Sequence, residues 1–159
     1  MKIIRTTSLF VAIGMVIVLL FSGLSWAYSD IDNFMGFRWG QKSQECEFLG
    51  QLCETDGNLE GYSTKISRPI WNQIEFRSLF LVFNQNMFEG VVGIGYPGEI
   101  IWEKWVLFLD EKLGVPDIVS PDGSERKWIG AYTTIFIIKQ PDGNQLIISS
   151  DLAHLPSNR

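Results

Sequence analysis

Apolar residues recur along this chain in three rhythms. Leu9 to Phe21 is an almost unbroken apolar run with no charge. Between residues 74 and 82, Ile74, Phe76, Phe80 and Val82 stand at even positions, the period of two that marks a strand. From Glu99 to Leu113 the large apolar residues recur at spacings of three and four. Ile101, Trp102, Trp105, Phe108 and Leu109 then share one face of a helix. Gly114 and Pro116 stop that helix.

Turn residues divide the rest. Asn84-Gln85-Asn86 separates two apolar runs and predicts a hairpin, with Met87 to Tyr96 as its return strand. That strand carries Gly90, Gly93 and Gly95, which point to bends, bulges or the close approach of another element. Pro141-Asp142-Gly143-Asn144 predicts a second hairpin, between a strand over Lys127 to Lys139 and a last strand, Gln145 to Ser150. Within the former, Thr133 to Ile138 is densely β-branched and aromatic. Tyr62 to Ser67 reads as a further strand and Gln51 to Gly61 as a loop turning at Asp56-Gly57-Asn58. Nearer the start, Ser43 is a fair helix N-cap, with Glu45 and Glu47 in the first turn and Cys46, Leu49 and Leu52 on one face. The order is helix, strands, helix, strands, with short turns between consecutive strands. This predicts an α+β two-layer sandwich, an antiparallel sheet with two helices on one face. The two halves also align loosely as a tandem α-β-β repeat.

The apolar run at the start changes the picture of where the domain works. Lys2 and Arg5 precede it, and Ser25 and Ala27 supply small residues for cleavage after Ala27. The layout is that of a signal peptide over residues 1–27, followed by one exported domain over 28–159, periplasmic or secreted. Cleavage would leave no integral membrane segment. The full chain carries a formal charge of −5, and loss of Lys2 and Arg5 leaves 11 basic against 18 acidic residues, a charge of −7. Nucleic acid is thereby disfavoured as a partner, since it requires a basic face. Cys46 and Cys53 are the two cysteines, and in an oxidising compartment they are expected to pair. A straight helix would hold them about 10.5 Å apart along its axis, too far for a disulfide, so the pairing requires the chain to turn back near Gly50.

The Gly36-Phe37-Arg38-Trp39-Gly40 segment, the Leu49-Gly50 helix end, Trp71 and the Phe83-Asn84-Gln85-Asn86 turn together resemble small exported bacterial proteins of the BamE/SmpA type. They are also similar to the tandem-repeat β-lactamase-inhibitor proteins. The likeness runs mainly over residues 36–94, with a fainter copy over 109–148. It implies a helix-plus-antiparallel-sheet fold that acts by binding other proteins. The lipid-bearing cysteine of the BamE/SmpA type is absent.

No catalytic constellation emerges. Gly93-Ile94-Gly95-Tyr96-Pro97-Gly98 matches the dinucleotide fingerprint G-x-G-x-x-G, but its strand belongs to a hairpin, Pro97 lacks an N–H and Glu99 would repel a phosphate. The lone histidine, His154, stands in a polar tail, and two thiolates without further ligands fall short of a zinc site. Neither metal nor cofactor is expected. An acid pair on strands, such as Glu75 and Glu89, facing one cleft would suit glycoside hydrolysis. Trp39 and Trp71 lie close to glycine or proline, with Arg38 and Arg68 beside them, the composition of a protein-binding hot spot. The alternative is that both rings cap the sheet. The expectation is a non-catalytic protein-binding module of the cell envelope, its partner another envelope protein. An inhibitor of a basic enzyme and a small-molecule or glycan binder or hydrolase are the alternatives.

Overall fold

The computed structural model describes residues 31–151. The expected signal segment at 1–27 and His154 lie outside the described residues. Period-two burial dominates. In β6 (Ile74–Asn84) Ile74, Phe76, Leu79, Leu81 and Phe83 point into the core, and a bulge between Phe76 and Ser78 switches the phase from even to odd. The expected even-numbered stripe therefore divides between two faces. Ile74 and Phe76 are buried, whereas Phe80 and Val82 are half-buried on the opposite side. Gln85 and Asn86 both take positive φ, 50° and 66°, which makes the turn into β7 (Met87–Gly95) the kind that suits the twist of a hairpin.

Among the described residues nine strands form one antiparallel sheet. Its path runs β3 (Leu49–Asp56), β4 (Leu59–Thr64), β6, β7, β11 (Gln145–Ser150), β10 (Thr133–Ile138), β9 (Glu125–Ile129), β8 (Ile118–Val119), with β5 (Ile70–Trp71) paired to the start of β6. Two meanders therefore meet at a seam between β7 and β11, so strand order runs inward from both edges in chain sequence. A small hairpin, β1 (Asn33–Phe34) with β2 (Phe37–Arg38), forms a sheet of its own.

One face of the large sheet is covered. Helix α1 (Glu99–Leu113) lays Trp102, Trp105, Phe108, Leu109 and Leu113 against it. Gly93 and Gly95 make this contact possible. A Cβ at Gly95 would lie 2.3 Å from the Trp105 ring, and one at Gly93 would lie 2.3 Å from Phe76. Trp105 meets Phe76 edge-on with centroids 5.7 Å apart. The helix ends at Gly114, whose φ of 83° suits glycine. Its N–H donates to the Asp110 carbonyl, while Trp128 Nε1 donates to the Gly114 carbonyl at 2.9 Å. Beside the helix, Phe34, Phe37 and Trp39 of the N-terminal segment cover the rest of that face.

The structure corrects the expected α+β sandwich with two helices. Among the described residues the fold is mostly β, with one α-helix, and the expected first helix is a single 3-10 turn, Ser43–Glu45, leading into β3. The physical reason is length. The window from Ser43 to Leu52 is ten residues long and is broken by Gly50, too few turns for a helix to sustain itself. As a strand, the same residues gain a ladder with β4, and Gly50 fits where any Cβ would strike Ser63 at 2.5 Å. The α-β-β repeat fails with that helix. The expected loop from Gln51 to Gly61 is strand on both sides of the Gly57-Asn58 turn, and the single strand over Lys127 to Lys139 is two, β9 and β10.

The Cys46–Cys53 bridge is not formed. Both thiols are free, Cys46 buried and Cys53 exposed. From Leu49 the chain runs extended, so Cys53 lies about 13 Å further along, on the outer strand, rather than folded back.

Candidate functional site

The other face of the sheet is the unusual one. An antiparallel sheet with one face in water normally alternates apolar with polar. Here the outward positions at the centre are apolar too. Cross-strand register aligns them: Phe80 opposes Val92, Val92 opposes Ile147, and Ile147 opposes Phe136. These four side chains form one continuous row across β6, β7, β11 and β10. All four are half-buried by their neighbours. The next row carries Ile94 and Ile138 with Ser78 and Gln145, and the row on the other side carries Val82, Gly90, Ser149 and Thr134. No helix or loop among the described residues lies over this surface.

A depression of about 330 Å³ opens on this face between Leu59, Val82, Val92, Ile147 and Ser149, with Gly90 at its base. A Cβ there would come to 3.0 Å from the Ile148 carbonyl oxygen, a tight approach that favours glycine. Glu89 and Asp151 also line this depression, and on the β9 side Lys127 and Glu125 take the register positions beside Phe136 and Ile138.

A second depression, about 380 Å³, lies between α1 and β9, lined by Glu99, Trp102, Glu103, Val106, Leu107 and Arg126. Arg126 Nη1 meets Asp110 Oδ2 at 3.2 Å and ties the helix to the strand. Burial pushes the Asp110 carboxyl above the usual range, and the Arg126 charge opposes that. At the helix start Lys139 pairs with Glu99. This groove is a structural clasp, and it holds no convergent set of reactive groups. Among the described residues no three His, Cys, Asp or Glu side chains cluster as metal ligands do.

The residues singled out from sequence are dispersed. Trp39 is buried, stacked on Phe88 at 4.8 Å with rings 10° apart, and its indole N–H donates to the Ile31 carbonyl. Trp71 is half-buried, 5.2 Å from Phe34 and 5.9 Å edge-on to Phe108. Both rings thus pack within the covered layer, while Arg38 and Arg68 are exposed. Glu75 and Glu89 lie toward opposite ends of the β6–β7 hairpin, since Glu75 precedes the Phe76–Gly95 pair and Glu89 adjoins the Gly90–Val82 pair. They do not share a cleft. The open face was signalled in the sequence by Leu79 to Phe83 and Ile135 to Ile138, runs too apolar for a strand with one wet side.

Among the described residues no helix is long and apolar enough to cross a membrane. Comparison of the chain with protein families, with curated proteins and with solved structures finds no match.

Proposed function

We propose that this chain is an exported, non-catalytic protein-binding module whose interface is the open sheet face. The observation that carries the reading is the Phe80–Val92–Ile147–Phe136 row. It is a continuous apolar surface on a rigid, hydrogen-bonded support. Contiguous apolar surface of this kind marks interaction sites on soluble proteins. A rigid sheet also spends little entropy on ordering itself when it binds.

The test is affinity capture from the native host, comparing the wild-type chain with Ile147→Glu. Ile147 is half-buried at the middle of the row and makes no core contact on the helix side, so the variant is expected to fold. The reading predicts a stoichiometric protein partner that Ile147→Glu loses and that Leu107→Glu, on the exposed side of α1, retains. A partner retained by Ile147→Glu would move the interface elsewhere.

A further inference from the structure

We infer that the partner of the open face is a second copy of this chain, packed sheet against sheet about a two-fold axis. This rests on the preceding reading that the face is a protein interface, and it names the occupant. A two-fold interface uses one patch twice, so the patch must complement itself. Here it does. From the seam between β7 and β11 outward, the middle row reads Val92 then Phe80 on one side and Ile147 then Phe136 on the other. It is β-branched at the centre and aromatic at both ends. Turning a copy over about an axis along the seam sets Val92 against the partner's Ile147, and Phe80 against the partner's Phe136. The same rotation brings Lys127 over the partner's β4, one strand from the acidic Glu54 on β3.

The dimensions suit a dimer. Six strands from β4 to β9, at about 4.8 Å each, and three rows about 6.8 Å apart give a footprint of roughly 29 by 20 Å, near 600 Å² before side-chain relief is counted. Stable interfaces begin at about 600 Å² per partner. Between β6 and β10 the three rows themselves contain no ionisable side chain. Glu89 and Asp151 line the depression beside the third row, so only the middle row and the row of Ile94 and Ile138 close without stripping water from a charge. Two aligned sheets about 10 Å apart would then make a sandwich with a helix on each outer side.

Like net charge works against this association at long range, because each copy carries −5, or −7 once residues 1–27 are removed. Self-association should therefore strengthen as salt is raised, the opposite of binding to a basic protein.

The experiment is sedimentation equilibrium of the naturally processed protein from about 1 to about 200 μM, a range bracketing interfaces of this size. The expected result is a mass that doubles with concentration, a dissociation constant that falls with added salt, and at least roughly 100-fold weakening in Ile147→Glu. Phe136→Ser is the second variant, should the glutamate unfold the chain, and Leu107→Glu should leave the dimer intact. A monomer throughout the range would overturn the inference, as would a dimer that neither face variant weakens. In the monomer case, capture of a different protein by wild type and not by Ile147→Glu would leave the face as an interface with another occupant. Absence of that capture would remove the interface reading as well.

Discussion

Gly95→Ala is the most exacting test of how α1 is seated. The added Cβ would stand 2.3 Å from Cζ2 and 2.8 Å from Cη2 of Trp105. Ordinary carbon contacts begin near 3.5 Å, so the ring must withdraw by about 1 Å. It has nowhere to go. Trp105 is 2% exposed, Phe76 closes its edge, and Phe76 itself already fills the notch at Gly93. Overpacking of this kind costs about 1–3 kcal/mol, and the blocked retreat puts this case near 3 kcal/mol. With a urea slope of about 1.5 kcal/mol/M, the unfolding midpoint should fall by about 2 M. The cycle is completed by Trp105→Leu. That change alone opens a cavity costing about 3 kcal/mol. In its background Gly95→Ala should be neutral or stabilising by about 0.5 kcal/mol, because alanine loses less backbone freedom than glycine. The coupling energy is therefore about 3 kcal/mol, far above the ~0.5 kcal/mol seen for independent sites. Additive costs in the double variant would refute the claim that this glycine exists to admit the tryptophan.

Other consequences can be checked singly. Alkylation of the native protein should label exposed Cys53 quickly and Cys46 slowly, since burial and then Glu45 push the Cys46 thiol up; a native mass two hydrogens light would contradict the free thiols. Asp122 accepts hydrogen bonds from the hydroxyls of Ser120 and Ser124 and from the Ser124 N–H, which hold its carboxyl at about 2 rather than 3.8. A group depressed in this way contributes stability above its unfolded value and loses it as pH falls through the folded one. The turn should therefore loosen between about pH 4 and pH 2, and Ser124→Ala should raise the Asp122 midpoint in a carboxyl NMR titration. Trp128→Phe removes the bond to the Gly114 carbonyl and should cost about 1–2 kcal/mol in chemical denaturation.

What could be read from the sequence was local. Helix α1 stood out because the spacing of Trp102, Trp105, Phe108 and Leu109 and the stop at Gly114 agree with one another. The β6–β7 hairpin stood out because Asn84 to Asn86 offers residues that tolerate positive φ between two apolar runs. The segment from Ser43 to Leu52 misled because Cys46, Leu49 and Leu52 are spaced by three, and only pairing with β4 decides that they are strand. Phe76 and Phe80 shared a parity that the bulge then broke, and a bulge leaves no mark in composition. The seam joins β7 to β11 across some 50 residues, a contact that no local pattern encodes. Trp39 and Trp71 looked like exposed anchors because their partners, Phe88 for one and Phe34 and Phe108 for the other, are brought by the fold. The open face was hidden for the converse reason. A continuous apolar run reads alike whether its second face meets a helix of its own chain or another protein.

The account's central claim is that the open sheet face is a protein interface, and site-specific photo-crosslinking in the native host tests it most directly. A photoreactive residue at position 136 or 147 should give a protein adduct, and the same residue at Leu107, 69% exposed on the far side of α1, should give none. Adducts at Leu107 alone, or none at either face position with the protein folded and exported, would contradict the claim.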